Sequence, residues 1–389
     1  MTDHLERLSK TLSDSARNGN LSQSLLLVGR PGIGKFSLVM DIARVLLCEK
    51  NMSGCGKCSS CKEVNKLYHP DFPLLFPFPN LRPESKKMTV FPFSDPVSSG
   101  AKFSEDTHDE IERFKEAKLS DPYAIVDFDK KENIPVELVK DLMRTLSRRP
   151  LRGQRRVAAV LDIDKMAFGA ADIFLKTVEE PPVNTHVILT TSRPDLLLPT
   201  LLSRAHLIKV PPASLEKLER YLSERLEINK HEASYLARIS GGSPGMAIHL
   251  YEGDITRRRD LVMIFFEKLL KRADTNLLVD DVNRRYGLGR VSYDEVKLDF
   301  DIMESIIHDL YLVGENRLDN HIINVDIKKK LSNLGCPDLE VLNIWKTSCA
   351  ETRQACLVNN VAAGTGMIFF YISCAEAMRN PGGLKFKLP

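Results

Sequence analysis

Gly29-Arg30-Pro31-Gly32-Ile33-Gly34-Lys35-Phe36 has the spacing of a phosphate-binding loop. Glycines let the backbone turn tightly enough for successive N–H groups to face phosphate oxygens, and Lys35 brings a mobile positive charge. Gly29, Gly32, Ile33, Gly34 and Lys35 are therefore the candidate nucleotide-binding residues, with ATP or ADP as ligand; occupancy stays open at this point. The place after the lysine calls for Ser or Thr, whose hydroxyl holds a magnesium ion, and here it is Phe36. Ser37 comes one residue late, a rotation of about 100° on a helix, and is expected to point elsewhere. The loop suits phosphate, but its metal site is broken.

A hydrolysing site also needs two adjacent acids at the end of a nearby strand, one for the metal shell and one to polarise water. Leu161 stands where the first would be and Asp162 takes the second place, followed by Ile163-Asp164. Asp162 or Asp164 is expected to cap a helix starting near Lys165, a common role for aspartate. With Phe36 and Leu161 both apolar, efficient hydrolysis is not expected.

Cys48, Cys55, Cys58 and Cys61 form C-x6-C-x2-C-x2-C. Four thiolates suit tetrahedral zinc, and a closed four-sulfur shell is structural rather than catalytic. Arg204, in Leu202-Ser203-Arg204-Ala205, sits where it could reach a neighbouring subunit's nucleotide, although a lone arginine is more often a surface ion-pair residue. Arg144, Arg148, Arg149, Arg152, Arg155 and Arg156 crowd together and could meet phosphates or line a solvated helix end. His69 reads as a turn or helix-terminus residue. Cys336, Cys349, Cys356 and Cys374 are scattered in helical sequence and read as core.

The elements that must position these groups follow from periodicity. A short helix over residues 5–17 precedes the apolar run Leu25-Leu26-Leu27-Val28 and the loop. A helix from Phe36 ends at Cys48. Val136, Val139, Leu142, Met143 and Leu146 repeat at helical spacing. Val157-Ala158-Ala159-Val160-Leu161 reads as a buried parallel strand. Met166, Ala170, Ile173, Phe174 and Val178 share a helix face stopped by Pro181-Pro182, and 186–191 is the next strand. Strands alternating with helices after a phosphate loop imply a doubly wound α/β domain over 1–211. Within it, 76–123 reads as an irregular insertion, with His108–Lys118 as an exposed helix. Residues 212–253 read as a helical lid. Residues 254–389 read as an all-α domain, clearest over Phe300–Leu312 and Leu339–Leu357, with a frayed tail from Asn380.

Composition agrees with such a chain. Its 389 residues are 43% hydrophobic and 28% charged, which excludes a disordered protein, and the net charge of +3 permits nucleic-acid contact without arguing for it. No run has the length of a membrane span, Met1–Glu6 is not a signal peptide, and eight cysteines are too few for a disulfide scaffold. A reducing, cytoplasmic setting is expected.

Leu175-Lys176-Thr177-Val178-Glu179-Glu180-Pro181-Pro182, continued through Thr191, with Pro199-Thr200-Leu201-Leu202-Ser203-Arg204, resembles the signature of AAA+ clamp-loader subunits. A four-cysteine module after the phosphate-loop helix strengthens the resemblance to the bacterial ones. Phe36, Leu161 and Gly245, the last where motor subunits carry a nucleotide-sensing arginine, make the chain similar to the delta-prime type rather than to gamma/tau motors. The resemblance implies an AAA+ domain, lid and C-terminal collar, with structural zinc on the four cysteines and little or no ATPase activity of the chain's own. It implies membership of the polymerase III holoenzyme in a ring with gamma/tau-type and delta-type subunits, acting on the sliding clamp and primer-template DNA. Arg204 then matches an arginine finger working in trans, with Ala205 in place of the family's usual Cys. Two other readings stay open. An ATP-hydrolysing gamma/tau-like subunit would carry Ser or Thr at 36 and acids at 161–162. A stand-alone zinc-containing nucleic-acid-binding protein would carry excess positive charge and exposed aromatics around Cys55–Cys61.

Overall fold

The computed structural model describes residues 5–79, 105–126, 132–167, 169–272, 274–287, 291–315 and 321–380. Most of the expected insertion, 80–104, and the expected frayed tail beyond Asn380 lie outside the described residues. Packing divides the chain into two compact units, Met1–Leu218 with Gly242–His249, and Glu219–Gly241 with Leu250–Pro389.

In the first unit, α1 (Glu6–Arg17) leads to β1 (Ser24–Val28), α2 (Lys35–Leu47), α3 (Ser59–Asn65), β2 (Leu74–Leu75) and β3 (Phe78–Pro79). Then come α4 (Glu105–Ser120), β4 (Glu132–Asn133), α5 (Val136–Leu146) and β5 (Arg156–Val160). The unit continues with α6 (Ala170–Glu179), β6 (Thr185–Thr191), α7 (Pro199–Arg204) and β7 (His206–Lys209). Five strands make one parallel sheet in the order β2-β5-β6-β1-β7, and β3 pairs antiparallel with β4 beside it. The central strands lack polar alternation because both faces are covered: Leu25, Leu26, Val157, Ala158, Val187 and Ile188 have no solvent exposure. From β1 the chain runs out to β2, returns through β5 and β6, and crosses β1 to finish at β7. That reversal leaves a crevice at the carboxyl ends of β1 and β6, where Val28 pairs with Thr191. The expected α/β parallel-sheet architecture is therefore present.

Two local expectations need correction. The helix expected to include Met166 begins at Ala170, because Gly169 takes a left-handed φ of 78° at its N-cap and Met166 is used in a bridge to Ile134. The helix expected to be exposed, His108–Lys118, lies within α4 and buries one face. Ile111 and Phe114 are inaccessible, and the Phe114 ring stacks on Phe76 with centroids 3.8 Å apart and planes 7° from parallel.

Beyond the sheet the chain is helical: α8 (Leu215–Leu226), α9 (Lys230–Ile239), α10 (Pro244–Glu252), α11 (Ile255–Leu270), α12 (Thr275–Tyr286), α13 (Tyr293–Gly314), α14 (Lys328–Leu334), α15 (Leu339–Leu357) and α16 (Ala363–Arg379). A capping box of Ser292 and Glu295 starts α13. The core of the second unit is built around Trp345, whose indole N–H donates to the Cys374 carbonyl at 3.1 Å and whose ring meets Phe266. Asp299, fully buried, is neutralised by Arg258 and Arg285 and accepts the Tyr286 hydroxyl at 2.8 Å. Among the described residues no helix is long and apolar enough to cross a membrane.

Candidate functional site

The phosphate loop forms as its sequence expects. β1 ends at Val28, Gly29 N–H donates to the Thr191 carbonyl, and Gly34 takes a φ of 106° to open α2 at Lys35. Only glycine holds that angle without strain. Lys35, buried, turns back into the loop: its amine donates to Gly29 O at 2.7 Å, Arg30 O at 3.0 Å and Ser192 Oγ at 2.8 Å. All three ammonium protons thus have acceptors. Burial pulls its pKa down to about 8 against the attraction of Asp162. Ile33 is buried against Gly29, and Phe36 and Leu161 are core residues, each 5% exposed. Neither offers an oxygen to a metal.

The aspartates do not act as helix caps. Only a three-residue turn, Ile163–Lys165, follows β5, and Asp162 caps it with no side-chain bond because the backbone there is left-handed, φ 46°. Asp164 Oδ1 instead accepts the Thr191 hydroxyl at 2.5 Å. Burial raises the Asp162 carboxyl above its ordinary range, opposed by Lys35 and Lys118.

Two chain segments press on the loop from outside the sheet. Gly245 N–H donates to Gly32 O at 3.0 Å, and Ser243 Oγ donates to Pro31 O at 2.7 Å. A methyl group at Gly245 would overlap the Tyr123 carbonyl oxygen, and one at Gly34 would lie 2.7 Å from Tyr123 Cε1. No side chain of any size fits at position 245. The Lys118 amine lies 5.6 Å from the Phe36 ring centre and 5.7 Å from that of Phe114, and donates to the Ala124 carbonyl.

Cys48, at the end of α2, meets Cys55, Cys58 and Cys61 from the following knob, with all four sulfurs within 4.8 Å of one another. Sulfurs on a tetrahedral zinc at about 2.3 Å stand roughly 3.8 Å apart, and Cys48 Sγ to Cys58 Sγ is 3.9 Å. The cluster therefore fits a metal ion. Its sulfurs also receive backbone N–H groups: Lys50 to Cys48, Cys58 to Cys55 and Cys61 to Cys58, each at 3.4 Å. Burial acts to raise the Cys48 thiol, but these and neighbouring bonds outweigh it and hold it at about 6; Cys61 is pushed up by burial. A chain of hydrogen bonds ties the knob to the sheet. Asp71 N–H donates to His69 Nδ1 at 3.0 Å, so His69 Nε2 carries the proton toward Ser60 Oγ at 3.2 Å, and Ser60 donates to Glu49 at 3.0 Å. His69 is a connector within the fold.

Arg204 closes α7 at the edge of the sheet. Its Nε pairs with Glu179 Oε2 at 3.0 Å, and one terminal nitrogen reaches Thr200 O at 3.2 Å. The arginine cluster is not a single patch. Arg156 is buried against Asp71, Arg152 pairs with Glu63, Arg144 pairs with Asp141, and Arg155 reaches the Met52 sulfur. Arg148 and Arg149 are exposed.

Sequence reasoning missed Ser192, Lys118 and Tyr123 as members of this cleft. Ser192 had a signal, since it follows β6, and the strand ends beside a phosphate loop face the same crevice. Lys118 and Tyr123 had none, because only tertiary packing brings that stretch to Phe36 and Gly34.

The family model described as DNA polymerase III, delta subunit, matches residues 4–214. The DNA polymerase III subunit delta' of Escherichia coli (strain K12) is 26% identical over 248 residues, 63% of this chain and 59% of that one. The subunit delta' of Pseudomonas aeruginosa is 27% identical over 257 residues, 64% of this chain and 62% of the relative. The subunit tau of Salmonella typhimurium is 22% identical over 244 residues, 62% of this chain and 30% of tau. The match thus spans about three fifths of the length of the two delta' relatives.

Proposed function

Because this chain belongs to the DNA polymerase III delta-subunit family, we propose that it is a non-motor, delta-prime-type member of the clamp loader. In that reading it sits in a ring with gamma/tau-type and delta-type subunits, which opens the sliding clamp and places it on primer-template DNA. One observation carries the non-motor reading: the phosphate loop keeps its backbone geometry while both metal-handling positions, Phe36 and Leu161, are buried apolar side chains. Without a magnesium shell the γ-phosphate lacks the metal ion that neutralises its developing charge. Gly29, Gly32, Ile33, Gly34 and Lys35 are then the remnant of a nucleotide site. Arg204 would instead serve the ATP site of an adjacent motor subunit, leaving Glu179 to do so. Cys48, Cys55, Cys58 and Cys61 would hold a zinc ion whose contribution is to fix the knob, since four sulfurs leave no open position.

The test is ATP hydrolysis by the chain alone and mixed with a gamma-type subunit, for wild type and Arg204→Ala. The reading expects an inactive chain, an active mixture, and a mixture at least about tenfold slower with Arg204→Ala although it still assembles. Lys35-dependent turnover by the chain alone would overturn it in favour of a motor.

A further inference from the structure

We propose that residues 109–126, the described end of α4 and the turn after it, are a built-in occupant of the cleft above the phosphate loop, with the Lys118 ammonium standing where a bound cation would stand. The proposal rests on the geometry of this cleft and not on membership of any ring.

Three features support it. Tyr123 is wedged between glycines of two separate elements, its ring against Gly34 of the loop and its carbonyl against Gly245 at the start of α10. A phosphate held by the loop must bring its oxygens to about 2.9 Å from loop N–H groups. The loop itself is held between the Tyr123 ring, against Gly34, and the backbone of 243–246, where Ser243 and Gly245 donate to the Pro31 and Gly32 carbonyls.

Phe36 gains a purpose in this arrangement. A magnesium site needs a hydroxyl at that place, whereas an ammonium group is attracted to the face of an aromatic ring. Lys118 lies over Phe36 and Phe114 and is tied to the Ala124 carbonyl. Asp162, the residue after Leu161, also acts on its charge. Phe36 and Lys118 thus form a complementary pair: the residue that rules out a metal ion is the one that receives the amine.

Asp162 acts on both Lys35 and Lys118, Asp164 also on Lys35 and Asp121 also on Lys118, while the nearby Lys165 is paired with Glu132. The segment is also anchored independently of the loop, through Ile111 and through the stack of Phe114 on Phe76. It is therefore a packed part of the domain.

The experiment uses the full chain, with folding of each variant checked by circular dichroism. Binding of ATP with magnesium is measured by calorimetry for wild type, the double variant Lys118→Ala with Tyr123→Ala, and that variant with Lys35→Ala added. The expected result is no saturable binding to wild type, binding at least about tenfold tighter to the double variant, and its loss when Lys35 is removed. Wild type binding as tightly as the double variant overturns the proposal. Amine acylation read by mass spectrometry decides the case in which neither binds or the double variant misfolds. Lys35 should react at least about tenfold faster in the double variant or, if that misfolds, in the milder Tyr123→Ala, and its slow reaction in wild type should be unchanged by ATP with magnesium. Equal Lys35 rates in wild type and variant, or protection of wild-type Lys35 by nucleotide, overturn the proposal.

Discussion

Asp71 and Arg156 form an ion pair 3.3 Å apart in which neither side chain reaches solvent. Asp71 also accepts the backbone N–H groups of Leu151 at 2.7 Å and Arg152 at 2.8 Å, while Arg156 donates to the carbonyls of Arg148 and Arg149. One buried pair thus pins the turn that enters β5 from both sides. Removing one partner of such a pair leaves an uncompensated charge. Asp71→Ala should cost about 3–5 kcal/mol in urea unfolding. A loss below about 1 kcal/mol would mean that water reaches Arg156 and the pair is not sealed.

Gly245 offers a steric test. Any Cβ there meets the Tyr123 carbonyl, a backbone atom that cannot rotate away. Gly245→Ala should destabilise the chain by about 1–3 kcal/mol, the range for overpacking a close-packed site. An unchanged thermal midpoint would show that the turn of 121–124 does not sit against α10.

Lys35 gives a pH signature. Its amine titrates near 10.5 when the chain is unfolded and at about 8 when folded, because burial disfavours the charge. Between those values the unfolded chain binds more protons, so this group's contribution to stability rises with pH. Below about pH 8 the charged form is present in both states and the burial cost is paid in full. Wild type should therefore gain about 2 kcal/mol over Lys35→Met between about pH 7.5 and pH 9.5, measured by urea unfolding. A constant difference between the two proteins across that window would rule out a depressed lysine.

The cysteine knob predicts metal content. Purified chain should carry about one zinc ion, and strong chelation should lower its unfolding free energy by at least about 2 kcal/mol. Cys58→Ser should abolish the zinc content. A chain free of metal, and indifferent to both treatments, would reduce the cluster to four neighbouring thiols.

The parts of this molecule set by local pattern were legible in its sequence. The run Leu25–Val28 followed by glycines and Lys35 fixes strand, loop and helix together, and the spacing of Cys48, Cys55, Cys58 and Cys61 matches the cluster they form. Helices α5, α13 and α15 were legible from apolar repeats. Strand β2 was not, because two residues carry no periodicity, nor was β7, an edge strand with exposed His206 and Leu207. The buried face of α4 was hidden for another reason: Ile111 and Phe114 are the only large apolar residues of His108–Lys118, in a mostly charged stretch. What makes them core is Phe76, distant in sequence. Arg156 looked like its neighbours in an arginine run, and only Asp71 sets it apart.

Arg204 is held by Glu179 in the isolated chain, with side chains 34% and 51% exposed. Exposed pairs contribute about 0–1 kcal/mol, so exchanging Glu179 for a phosphate costs little. Glu179→Gln should change stability by less than about 1 kcal/mol and leave ATP hydrolysis in a mixture with a gamma-type subunit at or above the wild-type rate. Arg204→Lys keeps the charge but loses the planar fork that grips phosphate oxygens from two nitrogens. If Arg204 acts as a finger, the lysine variant should be slow like the alanine one, at least about tenfold below wild type. A mixture in which both variants hydrolyse ATP at the wild-type rate would leave Arg204 as no more than the partner of Glu179.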